Sequence, residues 1–165
     1  MKRDVFGDFV VTAKDYSEAI VNELSLVNYI KIQPNYATKK GVITEHVLDS
    51  NGFYFVFKLK SLAYIGYSNH SIHDRIGRFF AGVRGTERDD ESHPAAYKYK
   101  KYFGTNCENL TLKIVPVSNK SLLSDVSMED IEECLIRKLR PALNIEVYRN
   151  RDIISHEMRL ETKLS

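Results

Sequence analysis

Two phenols, Tyr54 and Tyr64, sit in adjacent apolar runs of the stretch Gly52 to Gly66, GFYFVFKLKSLAYIG. If these runs fold as an antiparallel hairpin, both rings can converge on one face and offer two hydroxyl groups to a common site. Cross-strand aromatic pairs also serve simply to stabilise sheets, so the pair gains meaning from its company. Arg75 and Arg78 lie three positions apart, which makes them neighbours on a helix surface. An arginine offers a permanent planar donor fork suited to phosphate oxygens. A carboxylate of the last helical segment joins this set. Further along, Lys98, Lys100 and Lys101 interleave with Tyr97, Tyr99 and Tyr102. Lysines that meet phosphates and aromatics that stack on sugars or bases suit a nucleic-acid surface. The same pattern equally suits an amphipathic helix whose lysines snorkel around buried tyrosines.

The elements that must position these residues can be read in turn. Phe53 to Leu59 and Leu62 to Gly66 are rich in aromatic and β-branched residues, and the break Lys60-Ser61 is short enough for a hairpin. After the polar turn Tyr67 to His70, Ser71 is an N-cap with Asp74 three residues on, close to a capping box. Ile72, Ile76, Phe79, Phe80 and Val83 then form one apolar stripe of a helix. Residues 84 to 92 read as a charged surface loop. Pro94 suits the first turn of a second helix that runs to about Phe103, with Gly104 as its stop. Leu110 to Val117 alternates as a strand that ends near Pro116. Ser127 opens the last helix, Met128 to Leu139, acidic in its first turn and basic in its last as the helix dipole favours, and Pro141 ends it.

The flanks carry less. Residues 1–50 read as an accessory segment. It holds a short strand over Asp8 to Val11, a helix from Asp15 with Ser17 as cap, turns at Pro34-Asn35 and Lys39 to Gly41, and a strand over Val42 to Leu48. Residues 146–165 form a tail with Arg149, Arg151, Arg159 and Lys163 and a short helix from Ile153.

At 165 residues the chain suits one domain with appended ends. No apolar run approaches the ~20 residues that span a bilayer. No h-region follows Met-Lys-Arg-Asp, so the expected location is cytoplasmic. Cys107 and Cys134 lack zinc spacing and read as free thiols. A formal net charge of +2 is too small to announce a nucleic-acid partner by itself.

Taken together, Gly52-Phe53-Tyr54, then Tyr64-Ile65-Gly66, then Arg75 on the next helix resemble the GIY-YIG nucleases. Glu132, Ile136, Pro141 and Asn144 reproduce that family's Glu-x3-Ile-x4-Pro-x2-Asn spacing, which selects Glu132 over its neighbour Glu133. The resemblance covers residues 51–145 and implies an α+β fold, a small three-stranded antiparallel sheet flanked by helices, here with an N-terminal helical extension. It implies a Mg²⁺-dependent hydrolase that cleaves phosphodiesters in double-stranded DNA, with Mn²⁺ able to replace Mg²⁺. The catalytic set it implies is Tyr54, Tyr64, Arg75, Glu132 and Asn144, with Glu132 as metal ligand.

These residue types suit that chemistry. Mg²⁺ takes one or two carboxylates and completes its octahedron with water and phosphate, and a single matched carboxylate favours one metal over a two-metal clamp. Holding a phenol ionised at pH 7 against a usual pKa of about 10 costs about 4 kcal/mol. Tyr64 therefore reads as a group that orients the attacking water, with Tyr54 bonding water or phosphate beside it and Asn144 fixing nearby backbone. Many relatives carry a histidine one turn after the arginine, where this chain has Phe79. His73, His93 and Tyr67 are the candidates for the missing base, and His93 is favoured. Contacts to DNA are expected from Arg78, Arg84, Lys98, Lys100 and Lys101. A homodimer would allow both strands to be cut, as in a restriction, defence or phage nuclease. The alternatives are a non-cleaving nucleic-acid-binding module on the same fold, in which Glu132 is dispensable, and a protein-interaction scaffold.

Overall fold

A computed structural model of the chain describes residues 12–35, 40–43, 51–84, 93–105, 109–117, 122 and 125–144. In chain order its elements are α1 (Ala13–Leu24), β1 (Ile30–Asn35), β2 (Lys40–Ile43), β3 (Gly52–Lys58), β4 (Ser61–Ser68), α2 (Ile72–Arg84), α3 (Pro94–Phe103), β5 (Leu110–Pro116) and α4 (Met128–Leu139). The class is α+β. The strands form one antiparallel sheet in the order β2-β1-β5-β3-β4. The expected three strands are its β5-β3-β4 portion, and β1 and β2 extend it beyond β5.

Strand β3 lies between β4 and β5 and is buried on both faces, which is why its sequence lacks apolar/polar alternation. Successive side chains of a strand point to opposite faces. Tyr54 and Val56 therefore face one core, with Tyr64, Leu112 and Ile114, against Ile72, Ile76, Phe79 and Phe80 of α2 and Tyr99 of α3. Phe53, Phe55 and Phe57 face the other, with Ile65 and Val115, against Tyr16 and Ile20 of α1 and Ile131, Leu135 and Ile136 of α4. Two helices thus cover each face.

The β3–β4 connection is a two-residue turn, Leu59-Lys60, both with positive φ (50° and 66°). Positive φ at both central positions marks the turn class whose twist matches the flanking strands. It moves the turn one residue upstream of the Lys60-Ser61 break expected from sequence. The outer edge of β4 is covered rather than open: Leu143 N donates to Ala63 O at 2.8 Å, and Ala142 N donates to Leu62 O at 3.4 Å. The segment after α4 thereby blunts an edge that would otherwise invite pairing.

Three expectations in the N-terminal region change. Lys40-Gly41, expected in a turn, belongs to β2, paired with Asn35 and Pro34 of β1. The cap of α1 is Thr12, not Ser17: Thr12 and Asp15 form a reciprocal capping box, and Ser17 lies inside the helix, donating to Lys14 O. Pro34-Asn35, expected as a turn, belongs to β1. Pro34 is tolerated there because β1 pairs with β5 only through Ile30 and Lys31, so at Pro34 one side of the strand has no ladder to serve. The described part of residues 1–50 is built into the sheet and the second core. The other helices match expectation, with Ser71 Oγ accepting from Asp74 N and Ser127 Oγ from Asp130 N. The expected strand at Asp8 to Val11, most of Val42 to Leu48, the loop after Arg84, Cys107 and the tail lie outside the described residues.

Candidate active site

A cleft of about 490 Å³ opens where β4, the turn after it, the first turns of α2, and α4 meet. Tyr64, Arg75 and Glu132 line it together, with Tyr67, Ser71 and Arg78 around them. Because α2 and α4 pack on opposite faces of the sheet, a cleft that both line must reach round the β4 edge. Glu132 sits beside the buried Ile131 on α4 and is half-buried at the cleft. Its neighbour Glu133 is instead turned to solvent and pairs with Arg137 at 2.9 Å. The glutamate at the expected spacing is thus the one that lines the cleft.

Tyr54 is not part of the cleft lining. It is 1 % exposed and lies under Tyr64, with ring centroids 6.1 Å apart. The expected hairpin convergence is present, but Tyr54 reaches a ligand only through its neighbours. Its position depends on Gly66, its partner across the ladder. A Cβ at position 66 would collide with the Tyr54 phenol oxygen and ring. Burial pushes the Tyr54 hydroxyl up to about 12, against the opposing pull of Arg75, so this phenol stays protonated. Tyr67 is also raised, by burial and then by Glu132 and Glu129.

Arg75 is half-buried. Burial alone would lower its pKa, but Tyr54, Tyr64 and Glu132 outweigh it and the net shift is upward. The guanidinium is firmly charged, and its Nε has no hydrogen-bond partner among the described residues. Asn144 is 2 % exposed. Its side-chain amide copies a strand neighbour: Oδ1 accepts from Ile65 N at 3.0 Å, and Nδ2 donates to Ile65 O at 2.9 Å. It locks the β4 backbone one residue from Tyr64, the fixing role expected of it.

His93, the favoured base, is placed otherwise. It is 4 % exposed, forms no part of the cleft wall, and sits edge-on to Phe79 (5.8 Å) and Tyr64 (5.4 Å). Burial, then Arg75 and Arg78, lower its pKa to about 3. A buried neutral ring with both nitrogens engaged on protein groups does not collect a proton from water. His73 is exposed beside Asp74. Among the described alternatives, Tyr67 lines the cleft.

No protein-family model, curated protein or solved structure matches this chain.

The DNA-contact candidates divide. Arg78 lines the cleft. On α3, Tyr99 is core and Tyr102 packs against it, while Tyr97 is 48 % exposed. The snorkelling pattern therefore accounts for Tyr99 and Tyr102, with Lys101 over the Tyr102 ring at 5.4 Å. Lys98 and Lys100 are partly exposed. The side chain of Arg84, at the end of α2, lies outside the described ones. Sequence reasoning missed His70 and Asp74, which line the cleft, and two further contributors. Ser71 lines the cleft as well as capping α2, and Gly66 makes room for Tyr54. The second was signalled by an antiparallel register that sets a glycine opposite an aromatic ring.

Among the described residues, no three His, Cys, Asp or Glu side chains gather as a ready metal cage. Glu132 and the exposed Asp74 are the carboxylates among the described residues that line the open cleft. That donor set fits Mg²⁺, which keeps several waters and uses one or two carboxylates with substrate phosphate.

Proposed function

We propose that this protein is a divalent-metal-dependent DNA endonuclease of the GIY-YIG type. The observation that carries the reading is the convergence of Tyr64, Arg75 and Glu132, from three separate elements, on one cleft. Arg75 binds the phosphate oxygens with a fork that neither loses its proton nor changes its plane. Tyr64, braced by Tyr54 behind it and by the Asn144 lock on Ile65, presents a hydroxyl that orients the attacking water. Glu132 is the residue that would hold Mg²⁺, which when bound supplies positive charge for the phosphate and the leaving oxygen. With His93 buried, Tyr67 is the cleft hydroxyl nearest in kind to a proton relay, and solvent is the final acceptor.

The test is cleavage of supercoiled plasmid with Mg²⁺ or with EDTA, beside Glu132→Ala. Nicking or linearisation that requires both Mg²⁺ and Glu132 is the expected result. If the wild type leaves several DNAs intact, the enzyme reading is lost, and DNA binding that persists unchanged in Glu132→Ala then favours a non-cleaving module.

A further inference from the structure

His93 commits both ring nitrogens to protein partners. Nδ1 accepts the Ala95 amide hydrogen at 3.2 Å and is the N-cap of α3. Nε2 lies 3.0 Å from the Tyr54 oxygen. A neutral imidazole carries one ring hydrogen. An amide N–H can only donate, so Nδ1 is the bare nitrogen and the hydrogen sits on Nε2. The Tyr54 oxygen therefore accepts from His93. Arg75, a second neighbour of that oxygen, has only donors. Tyr64 is the third neighbour and has lone pairs to offer, so the Tyr54 hydrogen turns to Tyr64. Tyr64, which accepts that hydrogen, lines the cleft.

We infer that His93 is a positioning residue that anchors to α3 through Nδ1 and, through Nε2–H, sets the direction of the hydrogen bond from the buried Tyr54 to Tyr64 at the cleft. The aromatic packing supports this. Phe79 and Tyr64 both hold the His93 ring edge-on, at 89° and 77°, and so fix its plane. Phe79 thereby acts as a wall for His93. The catalytic consequence rests on the nuclease reading, whereas the hydrogen-bond direction does not.

Two experiments separate those levels. Long-range ¹H–¹⁵N spectra of the imidazoles are expected to show His93 protonated on Nε2 and bare on Nδ1, with the Nε2 signal displaced in Tyr54→Phe. A proton on Nδ1 would overturn the inference whether or not the protein cuts DNA. For activity, His93→Asn retains an oxygen for the α3 cap but not the reach to Tyr54, and His93→Gln retains the reach. His93→Asn is expected to lower kcat about tenfold, the scale of one lost hydrogen bond, with KM unchanged. His93→Gln should lose less, and His93→Asn should add nothing in a Tyr54→Phe background. Full activity in His93→Asn, or an equal loss with and without the Tyr54 hydroxyl, would refute the positioning role. If the wild type itself cuts nothing, the nuclease reading falls and the tautomer alone decides the inference.

Discussion

Tyr54 pairs with Gly66 across the β3–β4 ladder, and its phenol fills the space where a side chain at position 66 would begin. The glycine of the hairpin is thus a packing requirement of the buried tyrosine. Gly66→Ala is expected to displace the ring and destabilise the protein by about 1–3 kcal/mol, as overpacking does. In a Tyr54→Ala background the same change should cost less, with the edge of the Tyr64 ring as the remaining close contact. Urea denaturation of the four proteins measures the coupling, and additive effects would separate the two residues.

Asn144 satisfies both backbone groups of Ile65. Asn144→Asp removes the donor to Ile65 O and sets a carboxylate against a carbonyl, for an expected loss of about 1–3 kcal/mol at pH 7. Protonating the new carboxyl restores one donor, so the loss relative to wild type should shrink at pH 4. A loss that does not change with pH would argue against this geometry.

His93 gives the fold an acid limit. Its folded pKa of about 3 lies below the usual 6.5, so below pH 6.5 the unfolded chain binds a proton that the native state refuses. Its contribution is fully present above the unfolded pKa and is lost as pH falls from 6.5 towards 3, by roughly 3–5 kcal/mol over the whole window. Relative to wild type, His93→Asn should flatten stability against pH between 6 and 4. Parallel curves from equilibrium unfolding would contradict the buried neutral ring.

Leu59 and Lys60 adopt left-handed backbone without being glycine or asparagine. Leu59 is 67 % exposed, so its removal forfeits little burial. The double change Leu59→Asn, Lys60→Gly supplies the residues this turn prefers and should stabilise the protein by about 1–2 kcal/mol. A lower thermal midpoint would mean that the turn is not of this class.

Arg75→Lys keeps the charge but loses the fork. Cleavage of plasmid should fall roughly 10²–10³-fold in kcat, as when a preorganised oxyanion donor is removed. The thermal midpoint should change far less than it does in Gly66→Ala. Undiminished cutting would remove Arg75 from the site.

The sequence by itself determined the features whose causes are local. The stripes and caps of α2 and α4, the proline start of α3, and the hairpin that brings Tyr54 near Tyr64 all follow from periodicities and turn chemistry spanning a few residues. Thr12 was legible too, because Thr-x-x-Asp is a capping signature, but Ser17 offered a competing one. The strand character of Ile30–Asn35 was obscured by Pro34, whose tolerance depends on β5 ending its pairing at Ile30 and Lys31, a fact of the sheet and not of the segment. The same holds at the site. Residue types proposed Tyr54 as a ligand contact and His93 as a base. Tertiary packing decided otherwise, because burial and the fixed directions of hydrogen-bond donors and acceptors depend on neighbours far apart in the chain: β3 lies at the sheet centre, and α3 carries His93 underneath Tyr64. What stands at the open end of that stack, Tyr64 with Arg75 and Glu132, is the part that residue spacing and three-dimensional structure both point to.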